Sequence, residues 1–262
     1  MSARILSIAG SDSGGGAGIQ ADIKTACAFG VYASTAITAV TAQNTLTVTR
    51  VEALAPTIVS AQIDAVLSDI GADAIKIGML ANVDICKAVG SILEGVSVPI
   101  VLDPVMISTS GSKLLDEKAI NIVRDHLVPR ATLVTPNLPE MDVLGGLSDP
   151  SRNDRLARAT EFAKRFDIAV LLKDGHGNGE MVEDALITQS DVEWFSSPRL
   201  ASINTHGTGC ALSTAVACGL AKGETLRNAV KAGRDFVYQG IKSAPGLGAG
   251  HGPLNFIHKN TK

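Results

Sequence analysis

The residues best equipped for chemistry form one run, Asn204-Thr205-His206-Gly207-Thr208-Gly209-Cys210. It leads into Ala211-Leu212-Ser213-Thr214-Ala215-Val216-Ala217-Cys218-Gly219-Leu220-Ala221, whose small and apolar helix formers predict a buried helix. Glycines at a helix N-terminus leave the first backbone N–H groups bare and let an anion come close. The helix dipole adds partial positive charge at the same point, so phosphate is the natural ligand. Cys210 falls in the first turn, where a thiol pKa is lowered toward thiolate. The competing reading is a glycine turn before a core helix, with Cys210 as a small buried hydrophobe. The local residues alone do not separate the two.

A second glycine-rich stretch lies near the start. Arg4-Ile5-Leu6-Ser7-Ile8-Ala9 is an apolar run ending at Gly10 and predicts the first buried strand. Ser11-Asp12-Ser13-Gly14-Gly15-Gly16-Ala17-Gly18 follows, and Ile19 to Phe29 has helical spacing up to Gly30. The order is strand, glycine turn, helix. A P-loop needs Gly-Lys-Ser/Thr, and no lysine is present. Gly14, Gly16 and Gly18 miss the Gly-x-Gly-x-x-Gly spacing of a dinucleotide fold. Asp12 and Asp22 remain, either to orient a ligand or to cap a turn and face solvent.

The elements that would position these groups alternate along the chain. Ala33–Val40, Val48–Ala55, Ala74–Met79, Pro99–Asp103, Leu133–Thr135 and Ala169–Lys173 read as strands. Pro56 to about Ile70, Asn82–Leu93, Asp116–His126, Ser151–Phe166 and Thr225–Lys242 read as helices, and Met181–Ile187 with Val192–Ser196 as a hairpin. Continuous apolar strands between helices predict an α/β fold of three α/β/α layers around a mostly parallel central sheet. With no repeat or linker, one domain over residues 1–262 is expected. Ligands of such sheets lie beyond the carboxyl ends of the strands. Gly10-Ser11-Asp12, Asp103, Asn137 with Glu140, and Lys173 all fall just past strand ends, and Gln43 and Met79 sit in turns that reach the same edge.

Composition sets the outer bounds. Apolar residues make up 45% and charged residues 19% of 262, as in a well-cored globule. A net charge of −3 without a basic patch argues against nucleic acid. No apolar run is long enough to span a membrane. Cys27, Cys86, Cys210 and Cys218 have neither Cys-x-x-Cys nor zinc spacing, which points to reduced thiols in a cytoplasm.

Taken together, Gly207-Thr208-Gly209-Cys210 and Ala9-Gly10-Ser11-Asp12-Ser13-Gly14-Gly15-Gly16-Ala17-Gly18-Ile19-Gln20-Ala21-Asp22 resemble the hydroxymethylpyrimidine/phosphomethylpyrimidine kinases, the thiamine-pathway branch of the ribokinase superfamily. Thr41-Ala42-Gln43-Asn44-Thr45, Lys76-Ile77-Gly78-Met79-Leu80, Asp103-Pro104-Val105-Met106, Thr135-Pro136-Asn137-Leu138-Pro139-Glu140, Lys173-Asp174-Gly175-His176 and Gly250-His251-Gly252-Pro253-Leu254-Asn255 extend the likeness over the whole chain.

The resemblance implies a ribokinase-like fold and a homodimer. It implies phosphorylation by ATP of 4-amino-5-hydroxymethyl-2-methylpyrimidine, then of its monophosphate. Carried over by position, Gln43 bonds the pyrimidine edge, and Gly10, Ala17, Asp22, Met79 and Val105 belong to the substrate side. Cys210 faces the hydroxymethyl group, where sugar-kinase relatives carry an aspartate. Asn137, Lys173, Thr208 and Gly209 belong to the nucleotide, with Gly207, Gly209, Lys173 and Cys210 as the catalytic set. Glu140 and Asp103 are expected at Mg²⁺. A pyridoxal or pyridoxine kinase of the same architecture is the competing activity, and a silent precursor-binding protein is a third reading. His176 and His206 lack a second ligand at metal spacing and are read as structural. Segments 106–113 and 175–180, rich in Gly and Ser, are expected to be the movers.

Overall fold

The computed structural model describes residues 2–106, 115, 117–146, 151–175 and 179–258. Residues 107–113 and 176–178, including His176, of the segments named above lie outside the described residues.

The chain opens with β1 (Arg4–Asp12), α1 (Gly18–Ala28), β2 (Tyr32–Gln43), β3 (Val48–Ala53), α2 (Pro56–Ala65), β4 (Ala74–Ile77) and α3 (Val83–Ile92). It continues through β5 (Ile100–Leu102), α4 (Glu117–Ile122), β6 (Leu133–Val134), α5 (Leu138–Gly145), α6 (Arg152–Phe166) and β7 (Ala169–Leu172). β8 (Met181–Ile187), β9 (Val192–Pro198), α7 (Thr208–Ala221) and α8 (Leu226–Lys242) follow. Among the described residues the strands form one nine-stranded sheet in the order β3-β2-β1-β4-β5-β6-β7-β8-β9. The run β2-β1-β4-β5-β6-β7 is parallel, and β3, β8 and β9 join antiparallel. The α/β class and the mostly parallel sheet read from the sequence are both present.

Alternation along the strands divides the core. Leu6, Ile8, Ile75, Ile77, Ile100 and Leu102 face a layer built from α2 through α6. Ile5, Ala74, Val101, Leu133 and Leu171 face α1, α7 and α8. Both faces of β4, β5 and β7 are buried, which explains their unbroken apolar runs. α7 is covered on nearly every side, from Ala211 to Gly219. Its small residues let it lie close on the sheet.

Strand β1 runs past the predicted stop at Ala9, through Gly10, to Asp12. An irregularity between Ala9 and Ser11 shifts the register, and pairing resumes at Ser11 with Val40 and Asp12 with Thr41. β2 continues to Gln43 for the same reason. After β1 the chain adds β2 on one side and β4 on the other. This reversal opens a crevice at the carboxyl edge of the sheet, the usual ligand position in open α/β folds.

Candidate active site

A cavity of about 360 Å³ occupies that crevice and extends along the carboxyl edge toward β9. Every expected site residue but one lines it: Gly10, Ala17, Gln43, Met79, Val105, Asp103, Asn137, Glu140, Lys173, Gly207, Thr208, Gly209 and Cys210. The exception is Asp22. Expected on the substrate side, it is fully buried within the protein and held in an ion pair with Lys76. Its place on the inner face of α1 turns it toward β4 and α7 instead of the opening.

The glycine turn after β1 is organised by Asp12. Its carboxylate accepts hydrogen bonds from the backbone N–H groups of Gly14 (2.7 Å), Gly16 (3.0 Å) and Ala17 (2.9 Å). His206 Nε2 lies 2.8 Å from the same carboxylate. Burial works to raise the Asp12 pKa, but His206 and these N–H groups outweigh it and hold the group below the usual carboxylate range. His206 in turn is tied to the tail, since its N–H donates to the Gly252 carbonyl at 3.1 Å. Gln43 stands beside them, its Oε1 accepting from Thr41 Oγ1 at 3.2 Å.

Gly207 caps α7 with φ +79°, a left-handed conformation that favours glycine. A Cβ there would lie 1.8 Å from the Gly16 carbonyl oxygen, so the two glycine turns meet at this point. Thr208 N–H donates to Thr205 and Ala211 N–H to Gly207. Gly209 and Cys210 N–H have no acceptor among the described residues. Two bare amides at a helix start are the arrangement that an anion site requires.

The charged groups beside those amides come from two strand ends. Lys173 Nζ is 3.0 Å from Asp103 Oδ1, and a Cβ on Gly209 would lie 3.5 Å from both Lys173 Nζ and Asp103 Oδ2. Asp103 also accepts from Thr135 Oγ1 at 3.0 Å and Ser213 Oγ at 3.3 Å. Burial opposes the charge on Asp103, but Lys173 and then Lys76 keep its pKa lowered. Burial likewise opposes Lys173, and Asp103 and Glu140 hold it raised. Asp103, expected as a metal ligand, therefore has both oxygens engaged by the protein.

Glu140 and Asn137 form a capping box on α5. The Asn137 side chain accepts from Glu140 N–H at 2.9 Å, and Glu140 Oε2 accepts from Asn137 N–H at 2.8 Å. The geometry thus orients Glu140 by a structural device while leaving it in the cavity wall. Burial pushes its pKa up to about 7, with Asp103 adding to the rise and Lys173 opposing it. Between its ordinary value of 4.5 and about 7 the folded state holds a proton that the unfolded chain has lost. Folding stability from this group therefore declines as pH rises through that window. A divalent cation held by Glu140 would respond the opposite way: its apparent affinity would fall as pH drops below about 7 and level off above it. Titration with Mg²⁺ at several pH values checks this, and the Glu140→Gln variant should lose the dependence.

Cys210 departs from expectation. Its thiol, predicted to lean toward thiolate, is pushed up to about 11 by burial, with Asp22 and Asp103 adding to the rise. Lys76 and the Gly18 N–H oppose this without overcoming it. The first-turn dipole is outweighed by an enclosed setting with two carboxylates. Alkylation of Cys210 by iodoacetamide should therefore be slow at neutral pH and quicken about tenfold per pH unit well into the alkaline range. Peptide mass spectrometry follows it apart from the exposed Cys27. Rapid labelling of Cys210 at pH 7 is the contrary result.

Sequence reasoning missed the far wall. Val182, Pro198, Leu200, Val237, Tyr238 and Ile241 line the β8–β9 and α8 end of the cavity. The signal was present as alternation in the hairpin and as the apolar stripe of α8, but neither marks a ligand rather than a core. Lys76, fully buried just behind the cavity lining, was read only as part of a motif.

Architecture of this kind, with bare amides at the start of α7 and a lysine and carboxylates beside them, defines a ribokinase-like small-molecule kinase. The chain belongs to the phosphomethylpyrimidine kinase family, whose sequence profile matches residues 12–255. It is 44% identical over 262 residues to the hydroxymethylpyrimidine/phosphomethylpyrimidine kinase of Rhizobium meliloti (strain 1021), covering 99% of this chain and 98% of that one. It is 40% identical to that of Escherichia coli (strain K12), covering 97% of both. Among solved structures, Bacillus subtilis pyridoxal kinase in an ADP complex superposes with a TM-score of 0.91 at 31% identity, covering 100% of both chains. Phosphomethylpyrimidine kinase from Clostridium difficile 630 superposes with a TM-score of 0.80 at 37% identity, covering 91% of this chain and 99% of that one.

Proposed function

We propose that the chain transfers the terminal phosphoryl group of ATP to the hydroxymethyl oxygen of 4-amino-5-hydroxymethyl-2-methylpyrimidine, and then to the resulting monophosphate. The observation that carries this reading is the bare amide pair of Gly209 and Cys210 with the Lys173 ammonium beside it in the cavity. Phosphoryl transfer needs alignment and neutralisation of spreading negative charge more than covalent chemistry. The amides and the lysine supply both where the charge grows. Gln43, Ala17, Met79 and Val105 enclose the flat ring, with the Gln43 amide on its polar edge. The apolar wall of β8, β9 and α8 takes the nucleoside end of ATP.

Mg²⁺ fits this site in a limited way. Among the described residues no group of three or more His, Cys, Asp or Glu could hold a metal. Mg²⁺ favours one or two carboxylates plus phosphate oxygens and water, and Glu140 is the carboxyl whose charge is least compensated here. Bound through Glu140, the ion would neutralise ATP phosphate charge. Cys210, whose thiol burial pushes up, packs beside the acceptor alcohol in this reading.

The same reading includes a homodimer, one domain and a cytoplasmic setting. No helix among the described residues is long and apolar enough to cross a membrane. The test is an assay with ATP and Mg²⁺ on the pyrimidine alcohol, its monophosphate and pyridoxal. Formation of a pyrimidine diphosphate supports the proposal. Turnover of pyridoxal alone favours the competing kinase, which the overlay with Bacillus subtilis pyridoxal kinase keeps in view.

A further inference from the structure

Beneath the cavity lies an ion pair that the transfer chemistry above leaves unused. Lys76 Nζ is 2.9 and 3.1 Å from the two oxygens of Asp22, and neither side chain has any solvent exposure. Asp22 also accepts from Ser7 Oγ at 2.5 Å and Thr214 Oγ1 at 2.6 Å. Groups from β1, β4 and α7 thus clamp one carboxylate of α1. Enclosing two opposite charges is costly, and a well-packed apolar pair is commonly as stable. Stability alone is a poor account of this pair.

Its position offers a better one. Lys76 belongs to the residues around the cavity, its ammonium enclosed just behind the lining, and its charge acts on both Cys210 and Asp103. Burial pulls the Lys76 pKa down, but Asp22, Cys210 and Asp103 together hold it above the usual lysine range. The group is a fixed ammonium that neither gives nor takes a proton. The neighbouring backbone makes room for it: a Cβ on Gly78 would lie 2.8 Å from Lys76 Nζ. No positive φ calls for glycine at this position.

We propose that Lys76 is a positioning residue for phosphoryl transfer, its ammonium fixed by Asp22 beneath Cys210 so that positive charge underlies the corner where acceptor oxygen and phosphoryl group meet. The inference rests on the kinase reading above. In that step the alcohol oxygen forms a bond to the γ-phosphorus, and the bond from that phosphorus to the bridging oxygen breaks. ADP leaves with the electron pair, and the alcohol proton is released to water. Lys76 acts through Cys210 and the local field as negative charge spreads over the phosphoryl oxygens.

The experiment compares wild type with Lys76→Met, with the double variant Asp22→Asn/Lys76→Met, and with Gly78→Ala. Thermal melting and steady-state kinetics are read with the pyrimidine alcohol and MgATP. Wild-type turnover tests the assigned reaction by itself, so its failure is separate from any failure of the variants. The double variant removes both charges and relieves the lone carboxylate that Lys76→Met leaves behind. It should melt near wild type, with kcat lower by about 100-fold and KM changed by less than about threefold. Gly78→Ala keeps both charges but displaces the ammonium, and kcat should fall by about tenfold. A folded double variant turning over within about threefold of wild type makes the pair merely structural and overturns the proposal. Where the double variant does not fold, Gly78→Ala decides, and an unchanged kcat overturns it.

Discussion

Gly207→Ala is expected to lose more than about 3 kcal/mol of stability, with melting lower by about 6 to 12 °C and turnover nearly abolished. Two effects add. A residue with a Cβ is strained at φ +79°, and that Cβ would lie 1.8 Å from the Gly16 carbonyl oxygen, well inside contact. The obstacle is backbone, so no rotamer change relieves it. The turn after β1 and the start of α7 must separate, and the bare amides of Gly209 and Cys210 move with them. Gly223 provides the control. It has the same φ of +79°, but nothing lies within 4 Å of its Cβ position. Gly223→Ala should cost only about 1 kcal/mol and leave turnover intact. Equal melting temperatures for the two variants would show that the meeting of the turns carries no energy.

Lys173→Met is expected to lower kcat/KM by about 100- to 1000-fold at pH 7. The change removes the cation beside the amide pair and strips Asp103 and Glu140 of their shared partner. Both carboxyl pKa values then rise. Glu140, already near 7, becomes mostly protonated at neutral pH, so the Mg²⁺ concentration needed for half-maximal rate should also climb. Raising the pH toward 9 should recover part of the Mg²⁺ requirement but not the lost kcat, because the missing charge on the phosphoryl group is not restored. Steady-state kinetics at both pH values, with Mg²⁺ varied, separate the effects. A loss below tenfold at pH 7 counts against Lys173 as a contact of the transferring group.

Much of this site was legible because its parts sit at the ends of apolar runs. Val101-Leu102 before Asp103 and Leu171-Leu172 before Lys173 each mark a strand whose next residue faces the carboxyl edge. The Asn137 and Glu140 spacing is a local signature and appears as a complete capping box. What failed depends on contacts between distant segments. Asp22 and Lys76 are 54 residues apart, and helical periodicity does not tell which neighbour a charged residue on α1 will meet. The Cys210 expectation used the dipole of its own helix, while the actual shift comes from burial and from carboxylates on α1 and just past β5. The far wall was invisible for a similar reason, since an apolar stripe looks the same against a core and against a ligand.

The bonds of His206 tie together parts of the chain that are made far apart in time. It holds Asp12, 194 positions earlier, and its backbone N–H donates to the Gly252 carbonyl. During synthesis the turn after β1 emerges from the ribosome among the first segments, with the carboxylate that shapes it lacking its imidazole. It can settle into its final form only after residue 206 and the stretch around residue 252 have also left the tunnel. The sheet strands β1, β2 and β4 can pair well before that. A ribosome-bound intermediate of this protein would therefore carry a largely built scaffold with an unfinished reaction centre, and premature termination before residue 252 would yield chains that fold in part but do not work.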